Sequence, residues 1–196
     1  PGQGRYLATG GGVSNGVVVY STNAQTWFQL ASGLREPHSI RETVPFTTGA
    51  PRYVLTTSGG GIFTSENAQT WTERVSGVTG TLFASAWGPA AGTGAGGAHV
   101  VVGASGVILR SVNSGLTWAP AGPVSGVTGT DTFSAVEWIE DRFVAVGSSG
   151  LVLTSRNGLD WERYDVGHSN TLSSIAYGSG RVVVTGSTAI RVYRMP

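Results

Sequence analysis

The chain has no cysteine, so it offers no disulfide, no thiolate nucleophile and no cysteine metal site. Lysine is absent too: all 12 basic residues are arginine. That bias fits a GC-rich bacterial genome better than any one binding task, although arginine also suits bidentate carboxylate recognition. Charge is sparse, 12% of residues with a net of +1, and so weak a field excludes a dedicated binder of nucleic acid or anionic membrane. No apolar run approaches the roughly 18 residues of a transmembrane span. No signal peptide is visible, while the start at Pro1 instead of Met leaves room for a removed N-terminal piece. Helical 3.6-residue periodicity is missing throughout. The three histidines, His38, His99 and His168, fall at unrelated places and give no metal-ligand spacing. No metal or cofactor is expected.

What is present is glycine, 31 of 196 residues, together with abundant Val, Thr and Ser. This is an all-β composition rich in tight turns. Runs of β-branched residues flank short Gly/Ser turns in RYLATGGGVSNGVVVYS from Arg5, RYVLTTSGGGIFTS from Arg52, HVVVGASGVILRS from His99, RFVAVGSSGLVLTS from Arg142 and RVVVTGSTAIRVYR from Arg181. Each reads as a hairpin, strands B and C. A further apolar segment, A, precedes most hairpins: SIRETVPF from Ser39, TLFASAWG from Thr81, TFSAVEW from Thr132 and TLSSIAYG from Thr171. A fourth strand, D, begins at a tryptophan. Four antiparallel strands per period of about 40 to 50 residues is the pattern of a propeller blade. Residues 1–196 are therefore expected to form a single all-β domain, a β-propeller of about five four-stranded blades. The segments 28–38, 88–98 and 119–131 read as loops.

The terminal blades are incomplete within this sequence. The first set lacks A and the last lacks D, and these gaps adjoin on a circle. Either a lost N-terminal D-A stretch of roughly 20 residues, the size the repeat implies, or a second chain has to complete the first blade; a larger ring makes this chain a fragment of a longer one.

Ahead of each D strand stands nearly the same phrase: VYSTNAQTW ending at Trp27, FTSENAQTW at Trp71, LRSVNSGLTW at Trp118 and LTSRNGLDW at Trp161. The Ser and Asn two residues apart, Ser21/Asn23, Ser65/Asn67, Ser111/Asn113 and Ser155/Asn157, suit the side-chain-to-backbone hydrogen bonds of a tight reversal. The indole beyond is placed to anchor the turn between sheets. The phrase resembles the Asp-box, or bacterial neuraminidase repeat, Ser-x-Asp-x-Gly-x-Thr-Trp, with Asn in the Asp place in all four copies. That resemblance implies a propeller whose boxes are structural turns on the face opposite most ligand sites. Asn is a poor cation ligand, which weighs against calcium there.

The same resemblance raises sialidases. Their Phe-Arg-Ile-Pro motif is absent, LREP at Leu34 to Pro37 being a distant echo, and the inner segments FASAW, FSAVEW and LSSIAY are mostly small and neutral. Arg5, Arg52, His99, Arg142 and Arg181, one per blade, read as a basic ring on the box face. Glu137, Glu140 and Asp141 read as a charged turn, and GGGVSNG from Gly10 as a hairpin turn. The expected binding face carries the D-to-A loops, with Arg35, His38, Arg41 and Glu42 in the first and His168 and Asn170 in the last, since loops on a rigid scaffold are where binding usually resides. The leading expectation is a noncatalytic binding or assembly module for a protein or glycan, as in the photosystem assembly factors or carbohydrate-binding propellers that the resemblance includes. The alternative is a glycoside hydrolase of the sialidase type or a fragment of one. An extracellular or periplasmic, secreted location is expected.

Overall fold

The computed structural model describes residues 6–12, 14–43, 53–93, 96–187 and 190–194. Apart from short 3-10 turns, these form only strands, in five antiparallel sheets. The first holds β1 (Tyr6–Gly10), β2 (Gly16–Ser21) and β3 (Phe28–Leu34). The second holds β4 (Pro37–Glu42), β5 (Tyr53–Thr57), β6 (Ile62–Ser65) and β7 (Thr72–Arg74). β8 (Leu82–Gly88), β9 (Ala98–Gly103), β10 (Ile108–Ser111) and β11 (Ala119–Pro120) make the third. The fourth comprises β12 (Phe133–Ile139), β13 (Arg142–Gly147), β14 (Val152–Ser155) and β15 (Glu162–Tyr164). The fifth has β16 (Leu172–Gly178), β17 (Arg181–Gly186) and β18 (Ile190–Arg194). Each sheet is a meander in chain order, and the fold is a β-propeller with the sheets as blades. Among the described residues the first blade has no innermost strand and the last no outermost one, as the repeat implies.

The inner strands stand side by side: β4 beside β8, β8 beside β12, β12 beside β16. Blade 1 meets blade 2 through β1 and β4. Among the described residues no comparable packing joins the first sheet to the last, so the expected closure into a five-bladed ring is not made by these five sheets.

Strand alternation explains the core, because successive side chains of a blade point to its two neighbours. In β13, Phe143 and Ala145 join a cluster with Val100, Val102 and Ile108 of the preceding blade. Val144 and Val146 join one with Leu172, Ile175, Val182 and Val184 of the next. Covered on both faces, β9 and β13 read as almost unbroken apolar runs. Two expectations need correction. Segment 28–38 is not a loop: β3 runs to Leu34 and β4 begins at Pro37, because Leu30, Ala31 and Leu34 pack with Leu55 and Ile40 of the second blade. The basic ring is also broken at His99. That residue pairs with Ser111 as Tyr53 pairs with Ser65 and Phe143 with Ser155, so it holds the aromatic position, one beyond the arginine position. It is 1% exposed. Arg5 and Arg52 lie outside the described residues.

Each inner strand of blades 2 to 5 carries one bulge near its start, between Pro37 and Ser39, Leu82 and Ala84, Phe133 and Ala135, and Leu172 and Ser174. A bulge re-aims the extra residue. His38, Phe83, Ser134 and Ser173 thus occupy one level of the four inner strands, at the loop-bearing end.

Candidate functional site

The two faces of the propeller are built from different chemistry. On one lie the Ser-x-Asn turns. In each, the Ser hydroxyl donates to the Asn Oδ1 at 2.9–3.2 Å, Ser21 to Asn23, Ser65 to Asn67, Ser111 to Asn113 and Ser155 to Asn157. The same oxygens accept backbone N–H bonds further on: Asn23 from Gln25 and Thr26, Asn67 from Gln69 and Thr70, Asn113 from Thr117, and Asn157 from Leu159 and Asp160. The serines are 0–4% exposed, and in three copies the hydroxyl also accepts an N–H, from Ala68, Gly115 or Gly158.

The sequence treats the four asparagines as equivalent members of a structural turn, and they differ in exposure. Asn23 and Asn67 are exposed, whereas Asn113 and Asn157 are half-buried. The physical reason is the other end of the amide. Asn113 Nδ2 donates to Thr117 Oγ1 and Asn157 Nδ2 to Asp160 Oδ2, both at 2.8 Å, so a neighbouring side chain folds over each. At Asn67 the corresponding Thr70 hydroxyl donates to Oδ1 instead, at 3.3 Å. The turn-closing oxygen of Asn23 and Asn67 is thus engaged as expected, while the rest of each side chain stands at the surface.

These turns sit on the preceding blade. A Cβ on Gly158, whose φ is +72°, would lie 2.8 Å from Val100 Cγ2 of blade 3, and Arg110 Nε of that blade donates to the Asn157 carbonyl at 2.7 Å. Burial holds the Arg110 pKa below its usual value, partly offset by Asp160. Trp71, Trp118 and Trp161 belong to clusters that include side chains of the preceding blade, and their indoles donate to Ala68, Gly115 and Gly158 carbonyls at 3.1, 2.9 and 3.2 Å. Trp27 departs from the expected anchor role: it is 43% exposed.

On the opposite face the B-C turns of blades 2 to 4 are gripped by D-to-A loops. Ser58 N bonds the Glu36 carbonyl, Ala104 N that of Thr81, Gly106 N that of Asp131, Ser148 N that of Thr132 and Gly150 N that of Asn170. His168 belongs to this grip. Its carbonyl would lie 2.0 Å from a Cβ on Gly150, where φ is +66°, its Nδ1 accepts the Asn170 N–H at 3.3 Å, and its Nε2 is buried with no hydrogen-bond partner. Asp131 does similar service: the Thr128 N–H and hydroxyl bond its carboxylate at 2.8 and 3.0 Å, and the backbone bond first of all lowers its pKa.

The first D-to-A loop is the richest in polar groups, but its residues divide. Arg35 is exposed and lies over the B-C turn, its Nη1 3.0 Å from where a Gly59 Cβ would be. Ser58 Oγ donates to Glu36 Oε2 at 2.9 Å and lies 3.0 Å from His38 Nε2, so the imidazole donates to the hydroxyl. The serine proton points at the carboxylate and not at the imidazole, which is the wrong order for a histidine-activated nucleophile. His38 stacks edge-on against Phe83 at 5.2 Å. Sequence reasoning missed Ser58 and Phe83; their signal lay in the shared bulge level and the neighbouring B-C turn.

Arg41 and Glu42 are not part of that loop cluster; they lie near the far end of β4. Arg41 Nε donates to the Ser85 carbonyl at 2.9 Å, and Nη2 pairs with Glu137 Oε1 of blade 4. Register explains the reach. Arg41, Ala86, Glu137 and Ala176 are equivalent in successive inner strands, and the small Ala86 lets arginine pass blade 3. Glu137 is therefore an inner-strand strut and not a member of a charged turn with Glu140 and Asp141; among the described residues the inner segments are not wholly neutral. His99 lies close enough to Arg41 to feel its charge. Burial first, and that charge second, push the imidazole pKa down to about 3, so it stays neutral. Both its nitrogens are buried without a hydrogen-bond partner, and its ring meets Trp118 edge-on at 5.9 Å.

A tyrosine beside a glutamate does occur. Tyr177 donates to Glu140 Oε1, and this bond raises the phenol pKa, the opposite of an activated tyrosine nucleophile. No helix among the described residues is long and apolar enough to cross a membrane.

No family model matches the chain, and no curated protein does. A solved structure, "YCF48 bound to D1 peptide", is similar with a TM-score of 0.59 at 17% identity over 95% of this chain. This chain spans 62% of that one. At such identity the likeness speaks to the fold, and it is a propeller fold that the two chains share.

Proposed function

We propose that the chain is a noncatalytic binding and assembly module of the Asp-box propeller type, which takes a segment of another protein on its D-to-A loop face. One observation carries this reading: the serine hydroxyls and asparagine oxygens of the Ser-x-Asn face are consumed by turns, whereas the loop face offers Arg35 and His38 exposed on a gripped, rigid rim. Loops so held present side chains with little ordering cost on binding. Support of a second kind comes from the similar propeller, whose structure holds a peptide. An extended segment laid over β4 and β8 would meet Arg35, His38 and Phe83 together, with His168 and Asn170 further round the rim.

Peptide-display selection against the 196-residue chain tests this, with affinities of selected peptides measured by calorimetry. The expected result is that Arg35→Ala combined with His38→Ala weakens binding about tenfold or more, as losing a charged contact at roughly 1.4 kcal/mol implies, while Arg156→Ala on the other face leaves it unchanged. Selective binding on a glycan array, or peptide binding indifferent to the double variant, contradicts it. Glycoside hydrolysis would instead restore the sialidase-type alternative.

A further inference from the structure

Every blade has a leading face, toward the blade before it, and a trailing face, toward the blade after. In blades 2 to 4 the leading face carries an aromatic ring or imidazole at the start of the B strand, Tyr53, His99 or Phe143, and the tryptophan of the Ser-x-Asn turn. The trailing face of the preceding blade covers it with branched aliphatic side chains, such as Val54 and Ile62 on the third blade or Val100 and Ile108 on the fourth. Blade 1 has the same equipment in the same register, Tyr6, Val19 and Trp27, and its turn is fully formed. Yet Tyr6 is 55% exposed and Trp27 43%, while Val19 is half-buried. At the other end, Val183 and Thr185 on the trailing face of blade 5 are half-buried, although their equivalents Val144 and Val146 are buried.

The ends are thus the two complementary halves of an interface that the chain builds between its own blades, and among the described residues no comparable packing joins them. We propose that the leading face of blade 1 is the seat of a further blade of the same ring, joined through the same polypeptide and presenting a branched aliphatic trailing face. Ring size selects this occupant over a second copy. Two copies of five blades closing head to tail make ten, above the usual range of about four to eight, and docking at one end only propagates an open filament. One to three further blades keep the ring within that range. The similar structure's chain is longer than this one, which spans 62% of it.

The test adds a blade. Residues 132–180 supply one A-B-C-D set and the next A strand, and Gly180–Arg181 matches the Gly4–Arg5 junction, so a second copy of 132–180 is fused ahead of Arg5. Iodide quenching of Trp27, isolated by difference against Trp27→Phe, is expected to fall several-fold in the fusion relative to the 196-residue chain. The thermal midpoint rises, and Val19→Glu abolishes both effects. Sedimentation of the unfused chain is the independent arm: a monomer with quenchable Trp27 is expected. Unchanged quenching in a folded fusion overturns the proposal, as does a dimer of the unfused chain in which Trp27 is shielded and which Val19→Glu dissociates.

Discussion

Blades 1 and 4 carry the same phrase, and it closes the same way in both. Ser21 and Ser155 each bond their Asn oxygen at 3.1 Å, and Asn23 and Asn157 each accept two backbone N–H groups. Their tryptophans part company: Trp161 is 9% exposed beside Phe143, whereas Trp27 is 43% exposed. The turn is a local device, closed by hydrogen bonds within a few residues. The anchor is a tertiary device that exists only where a preceding blade receives it.

The largest effect should separate those two tryptophans. Trp161→Ala removes a buried aromatic and should cost about 3–5 kcal/mol in urea unfolding, while Trp27→Ala should cost well under about 1 kcal/mol, as exposed substitutions do. Equal costs would break the comparison.

Next comes the position held by exposed Tyr6 in blade 1 and buried His99 in blade 3. The His99 pKa falls from 6.5 to about 3 on folding, so below 6.5 the unfolded chain takes up a proton that the folded one refuses. Its stabilising contribution is whole above pH 6.5 and is lost as pH falls toward 3, by a few kcal/mol in all. Asp131 and Asp141, with lowered pKa values, lose stability in the same direction. The readout is therefore the difference between the parent and His99→Phe, which should widen between pH 7 and pH 4 in favour of the variant.

A smaller effect sits in the turn itself. Gly158→Ala places a methyl group against Val100 at positive φ and should cost about 1–3 kcal/mol. Blade 1 already carries Ala24 at φ 59°, with no blade packed ahead of it among the described residues, and Ala24→Gly should change stability by less than about 1 kcal/mol. Smallest of all is Asn113→Asp, within about 0.5 kcal/mol by thermal melts, since either side chain accepts the Thr117 N–H.

Repeat spacing and strand alternation made the blades legible, down to the missing inner strand of the first and the missing outer strand of the last. Blade closure was not legible, because a periodic pattern specifies neighbours and not the size of the circle. Segment 28–38 was misread for want of strict alternation: bulges in β3 break the period while its apolar side chains still reach blade 2. His99 was placed with the arginines by its charge, whereas the hairpin register sets it with Tyr53 and Phe143. The exposure of Asn23 and Asn67 was hidden as well, since it turns on whether a side chain further along the turn accepts from the amide. At the candidate site, Arg35 and His38 were visible as a polar loop. The departure of Arg41 toward Glu137 was not, since it depends on Ala86 being small in the next blade.

The most direct measurement of the central claim, that the repeated phrase locks one blade to the blade before it, is a double-mutant cycle across that boundary. Val100→Ala in blade 3 and Trp161→Ala in blade 4 touch one cluster, and their unfolding energies should be coupled by about 1 kcal/mol or more. The same cycle with Trp27→Ala in place of Trp161→Ala should be additive. Additivity of the Val100 and Trp161 pair would contradict the account.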